Sequence, residues 1–168
     1  SSNTSFLTSA SNIDLSSYSG AELTFWHIAK TEGGYDKCRV QYSENGGTSW
    51  SNFPNSKYEG AATGYSSKYF HEDSYATWGT GTETPDNASW WKKETFDMDF
   101  LAGQNDIKIR FKLVSDGNEE RSGWYIDDVV VKGTKSSGPE FKNITVNNSA
   151  GLTLSSDIEI SGTLTLTS

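Results

Sequence analysis

Apolar and polar residues alternate with period two along most of this chain, and no stretch carries a sustained helical stripe, so the pattern predicts an all-β protein. The clearest strand is Ile107-Lys108-Ile109-Arg110-Phe111-Lys112-Leu113, with apolar residues on one face and three cations on the other. That cationic row reads as the solvated side of a half-buried sheet. Further strands are expected at Phe6 to Ala10, Ala21 to Lys30, Lys37 to Ser43, Ser49 to Phe53, Lys93 to Phe100 and Trp124 to Val131. Phe96, Met98 and Phe100 alternate with Asp97 and Asp99, which predicts an outward-facing acidic pair.

Two segments break the pattern. Between Pro54 and Trp91 the chain is rich in Gly, Ser and Thr, with Tyr58, Tyr65, Tyr69, Phe70, Tyr75, Trp78, Trp90 and Trp91 interspersed. A loop of that length is either an Ω-like excursion packed by its own rings or a ligand platform. After Val131 a small polar run, residues 134–140, reads as a linker. It separates a main domain, residues 1–133, from a tail, residues 141–168. The tail holds short apolar pairs: Ile144 and Val146, Leu152 and Leu154, Ile158 and Ile160, Leu164 and Leu166. Such short strands bury no face alone; they need the main domain, another molecule or stacked neighbours, as at the start of a solenoid.

The stretch Tyr42 to Trp50, YSENGGTSW, matches from Ser43 onward a hairpin pattern that sialidases carry. A propeller sialidase needs several such hairpins, an Arg cluster and a Tyr–Glu nucleophile pair, whereas this chain has one hairpin and only Arg39, Arg110 and Arg121. The turn chemistry accounts for the stretch without catalysis. Asn45-Gly46-Gly47 tolerate positive φ, Ser43 and Asn45 bond backbone groups, and Trp50 packs beneath.

Composition narrows the partners. The chain has 168 residues, enough for one domain with a short appendage. Aromatics make up 13% of it, so the core should be aromatic-heavy. Acidic residues exceed basic ones by 22 − 14 = 8 and the cations are scattered, which argues against nucleic acid. No apolar run reaches the ~20 residues of a membrane helix, so no membrane insertion is expected. With neither an initiator Met nor a signal peptide, the chain is expected to be a processed or excised piece. The single Cys38 excludes an internal disulfide and reads as a small core residue. His27 reads as a sheet residue bonded locally, and His71-Glu72-Asp73 as the one loop cluster able to ligate a metal or move a proton. No nucleophile elbow, phosphate loop or zinc spacing is present, and the chain is not expected to be an enzyme.

Gly123-Trp124-Tyr125-Ile126-Asp127-Asp128-Val129, taken with Leu23 to His27, Val40 to Trp50, Trp91-Lys92-Lys93 and Ile109-Arg110-Phe111, resembles the MAM-like jelly-roll modules of bacterial surface proteins. Cleaved-adhesin domains and the C-terminal modules of immune-inhibitor-type peptidases are similar. The resemblance runs from about Phe6 to Gly133, and the tail resembles segments of repetitive bacterial surface proteins. It implies a jelly-roll β-sandwich of two antiparallel sheets with a short C-terminal β-strand appendage. It also implies a secreted or surface-displayed, non-catalytic protein that often binds calcium. The family's terminal-strand acidic motif falls on Asp127 and Asp128, which places the expected cation there. Adjacent strand residues face opposite ways, so at most one of the two turns inward, where a hard cation would satisfy it.

The function expected from these readings is a cell-surface adhesion module binding a glycan or a protein through Tyr75, Trp78, Trp90 and Trp91. The alternative is a structural subunit of a filament or surface array. There is little room ahead of Phe6 for the strand that the family has there, and an open edge invites strand addition through the tail of a neighbouring copy.

Overall fold

The computed structural model describes residues 2–58, 69–81, 85, 88–135, 140–147, 153 and 158–167. Tyr65, Leu152, Leu154 and residues 136–139 of the expected linker lie outside them. The chain divides into two compact units, Ser1–Thr134 and Lys135–Ser168.

The first unit is a β-sandwich. Its strands are β1 (Asn3–Thr8), β2 (Gly20–Lys30), β3 (Lys37–Ser43), β4 (Ser51–Asn52), β5 (Lys92–Asp97), β6 (Lys108–Ser115) and β7 (Gly123–Thr134). They form one sheet of order β1-β6-β3-β4 and another of order β5-β2-β7, antiparallel throughout. Every connection except β3 to β4 crosses between the sheets, so sequence neighbours face each other across the core.

The expected alternation is what closes that core. Leu23 and Phe25 of β2, Val40 of β3, Phe96 of β5 and Ile109 and Phe111 of β6 are all buried. Aromatics share in the filling: Phe25, Phe70, Phe96 and Phe111 meet edge to face or tilted, with ring centroids 5.0–6.4 Å apart. Cys38 is buried among them, and burial pushes its thiol far up from the usual range.

Several boundaries differ from the expected ones. The first strand begins at Asn3 and pairs with β6 from Asn3 to Thr8, so it does run ahead of Phe6. The strand expected through Phe100 ends at Asp97, and a 3-10 turn, Asp99–Leu101, replaces it. That turn takes Leu101 inward and leaves Phe100 exposed, while Asp99 accepts from the Ala21 backbone N–H at 2.9 Å. In the described part of the long aromatic segment, Tyr58, Tyr69, Phe70 and Trp78 are buried. Phe70 exchanges backbone hydrogen bonds with Cys38, and the Tyr58 hydroxyl bonds both backbone groups of Val40.

In β7 the register against β2 slips by one residue. Thr24 faces Val130 and Trp26 faces Asp127, so three steps on β7 oppose two on β2. Asp128 takes φ 48° to make this bulge, and its N–H donates to Asp127 Oδ1 at 2.8 Å.

The second unit pairs differently. Its strands β8 (Glu140–Phe141), β9 (Ile144–Asn147), β10 (Glu159–Ile160) and β11 (Leu164–Thr167) form two parallel ladders, β10 on β8 and β11 on β9. Glu159 lies opposite Glu140, 19 residues earlier, and Leu164 opposite Ile144, 20 residues earlier. One turn of chain therefore lies on the previous one, as in a solenoid.

Candidate functional site

The hairpin after β3 is a fully bonded turn. Ser43 Oγ accepts from the Asn45 and Gly47 N–H groups, Asn45 Oδ1 accepts from the Ser49 N–H, and Trp50 Nε1 donates to the Gly47 carbonyl at 2.9 Å. Gly46 and Gly47 hold φ of 66° and 99°. The Arg110 guanidinium stacks between Trp50 and Phe6, 4.1 and 4.3 Å from the ring centroids.

Of the four rings read as a ligand platform, Trp78 is 0% exposed, and a ring closed off from solvent offers no stacking face. Its Nε1 donates to the Trp90 carbonyl at 2.6 Å. Tyr75, Trp90 and Trp91 are half-buried and packed against the core. The Tyr75 hydroxyl donates to Glu94 Oε1.

A buried polar network lies under these rings. Trp124 Nε1 donates to His27 Nδ1 at 3.1 Å, so the neutral imidazole carries its proton on Nε2, which donates to Glu94 Oε1 at 3.2 Å. Burial holds the His27 imidazole below its ordinary range, against the opposing pull of Glu94. His27 and Glu94 are both 0% exposed, and Tyr75 is half-buried. The fold also absorbs His71-Glu72-Asp73. His71 Nδ1 accepts from the Asp73 N–H and caps a 3-10 turn. Glu72 accepts from Gly33, Gly81 and Arg121 and pairs with Lys30 at 3.6 Å. Lys30 Nζ in turn donates to the Trp78 and Gly79 carbonyls.

Carboxylates with metal-ligand spacing occur elsewhere. Oxygens of Glu32, Asp36 and Asp116 lie within 4.8 Å of one another, and two oxygens on one Ca²⁺ can be no more than roughly 5 Å apart. Asp36 is buried and ties the two loops together, accepting from the Glu32 N–H at 3.1 Å and the Asp116 N–H at 3.3 Å. Glu32 Oε2 is buried and meets no donor. Burial, then the charges of Asp116, Glu119 and Asp36, push the Glu32 carboxyl above its ordinary range. The neighbouring Glu72 shows the contrast, since its oxygens meet Lys30, Arg121 and two backbone N–H groups, whereas Glu32 Oε2 meets no donor. A cavity of about 470 Å³ lined by Thr31, Asp36, Ser115, Glu119 and Arg121 opens beside the trio.

Asp127 and Asp128 lie at the bulge of β7, away from the Glu32 trio's loops. Both are exposed, and one Asp127 oxygen is spent on the bulge. The Glu32 trio was missed in the sequence because 80 residues separate Asp36 from Asp116. The usable signal was strand pairing: Asp36 precedes β3 and Asp116 follows β6, and antiparallel partners bring those ends together.

No protein-family model matches the chain. A stretch of 54 residues, 32% of the chain, is 44% identical to part of Bacillopeptidase F from Bacillus subtilis (strain 168), and it spans 4% of that protein's length.

Proposed function

We propose that the sandwich is a non-catalytic extracellular module of the MAM-like kind. It holds a glycan or protein ligand while calcium braces the loops at one end. The observation that carries this reading is the Glu32 carboxylate oxygen, buried without a donor beside Asp36 and Asp116. A hard cation taking one oxygen from each would lift the repulsion among them and tie the 32–36 turn to the loop after β6. The match to Bacillopeptidase F covers so little of that protein that no peptidase activity is carried over. The most reactive-looking side chains, His27 and Glu94, are sealed in the core. For ligand contact, Trp90, Trp91, Trp50 and Phe6 keep part of each ring at the surface.

Thermal melts with calcium and with a chelator test the brace. A ligand of the native state alone adds about 2.7 kcal/mol at 100 times its dissociation constant, several degrees for a domain of this size. Glu32→Gln and Asp36→Asn should abolish the rise, and Asp127→Asn should keep it. Identical melts with calcium and chelator sink the brace. Glycan-array and matrix-protein binding unaltered by Trp90→Ala and Trp91→Ala would remove those rings from ligand contact.

A second reading, assembly into a filament or array through the tail, is favoured by the parallel pairing of β8–β9 with β10–β11. Sedimentation of the full chain over a concentration series tests it, a monomer throughout being the adverse result.

A further inference from the structure

The two sheets of the sandwich divide the charge unevenly. Strands β1, β3, β4 and β6 hold five of the chain's 14 cations and none of its 22 acids. In the other sheet both signs are mixed, as in Glu22, Lys93, Asp97 and Lys132. The chain as a whole carries a net charge of −8, so the first sheet is a local reversal of its field.

All five cations share one face. On β3, Lys37 and Arg39 flank the buried Cys38; on β6, Lys108, Arg110 and Lys112 alternate with the buried Ile109 and Phe111. The register sets Arg39 directly opposite Lys112 and Gln41 opposite Arg110. Like charges directly opposite each other work against strand pairing, yet the fold keeps them there. Strand β6 lies between β1 and β3, so its outer face does not depend on an open edge.

Arg110 is held in place at the middle of the row. Its Nε donates to Gln41 Oε1 at 2.8 Å, Gln41 Nε2 donates to Asn52 Oδ1 at 2.7 Å, and the Trp50 and Phe6 rings lie against the guanidinium. Among the described residues its two terminal nitrogens have no acceptor, and no carboxylate pairs with Lys108, Arg110 or Lys112. Lys112 Nζ lies 5.9 Å from the same Phe6 ring, which is 51% exposed. Along β6 the three cations, each partly exposed, stand about 7 Å apart, two strand residues per step.

A guanidinium fork fixed in advance matches a carboxylate in bidentate geometry. The lysines on either side call for further negative charge at regular intervals, and the exposed Phe6 ring gives a CH-rich surface a place to rest. The backbone groups of a sheet point to its neighbouring strands and not out of its face, so an acidic peptide gains no ladder here. A chain of acidic sugars needs none.

We propose that this face binds a polysaccharide bearing carboxylates along its chain. Arg110 takes one carboxylate in its fork, Lys108 and Lys112 take the neighbouring ones, and Phe6 supports a sugar ring. The proposal rests on the ligand-holding reading above and adds the ligand's chemistry and its place on the sandwich.

Titration of the full chain with polygalacturonate, beside its fully methyl-esterified form, tests it. Binding should require the free carboxylates and weaken as salt rises. Arg110→Lys keeps the charge and loses the fork, and Lys108→Gln with Lys112→Gln removes two charges; each should weaken binding roughly tenfold. Lys93→Gln, on the other sheet, should leave it unchanged, and a melt of each variant checks that it folds. Binding that survives esterification or the β6 variants overturns the proposal. Equal binding of poly-glutamate or single-stranded DNA overturns it too, since the face would then read charge alone. A chain that ignores polygalacturonate but binds other glycans or matrix proteins overturns the proposal and leaves the module reading standing. A chain that binds none of these overturns both.

Discussion

At the scale of single residues, the Asp127-Asp128 pair has a structural role. On β7 the side chains directed to the core are Trp124 and Ile126 before the pair and Val131 after it, and Val129 lines an apolar cavity with Leu23, Phe111 and Val131. The inward positions thus change from even to odd. Only an inserted residue lets both halves of the strand bury their apolar sides, and the φ of 48° at Asp128 supplies it. Asp tolerates that region better than most side chains, and a β-branched one does not. Asp128→Val should cost about 1–3 kcal/mol in denaturant unfolding, while Asp128→Gly should stay within about 1 kcal/mol of the parent. A Val variant as stable as the parent would show that the bulge carries no strain. The parity change was visible in the sequence, but two adjacent acids at a strand end also fit a cation motif, and nothing local separates the two readings.

Among elements, the strands were legible and the aromatic loop was not. Lys37 to Ser43 appears as a strand with those limits, because its alternation matches a sheet with one buried face. The stop after Asp97 was hidden because the apolar spacing continues through Phe100; tertiary packing ended the strand, with Asp99 turning back to cap Ala21. For residues 69–91, ring content alone cannot tell a lining from a platform. Burial can, and Lys30 reaching the Trp78 and Gly79 carbonyls shows how β2 holds this segment down. Trp78→Ala should therefore behave as a core truncation, costing about 3–5 kcal/mol. Trp91→Ala, at a half-buried ring, should cost less than half as much. If calorimetry shows the two variants equally stable, the segment does not cover the core as described.

For the whole molecule, the distribution of buried polar groups sets how stability responds to acid. The chain has two histidines, and both sit where burial disfavours the imidazolium. A second proton on His27 would have to displace the Trp124 N–H from Nδ1, and one on His71 the Asp73 N–H. Both imidazoles are therefore held below the range they have in the unfolded chain, about 6.5. As pH falls through that value the unfolded chain takes up protons that the folded one resists, and stability drops. The contribution is complete above about pH 6.5 and is lost on acidification. Asp97, held low by Lys57, acts in the same direction, but only near and below about pH 4, so the two losses are separable. Melting temperature should accordingly decline between pH 8 and pH 5. His27→Gln and His71→Gln should each lower the parent's stability at neutral pH and flatten that decline, and the double variant should show almost none. A decline that survives in the double variant would assign the acid response to the carboxylates and leave the buried imidazoles without a part in it.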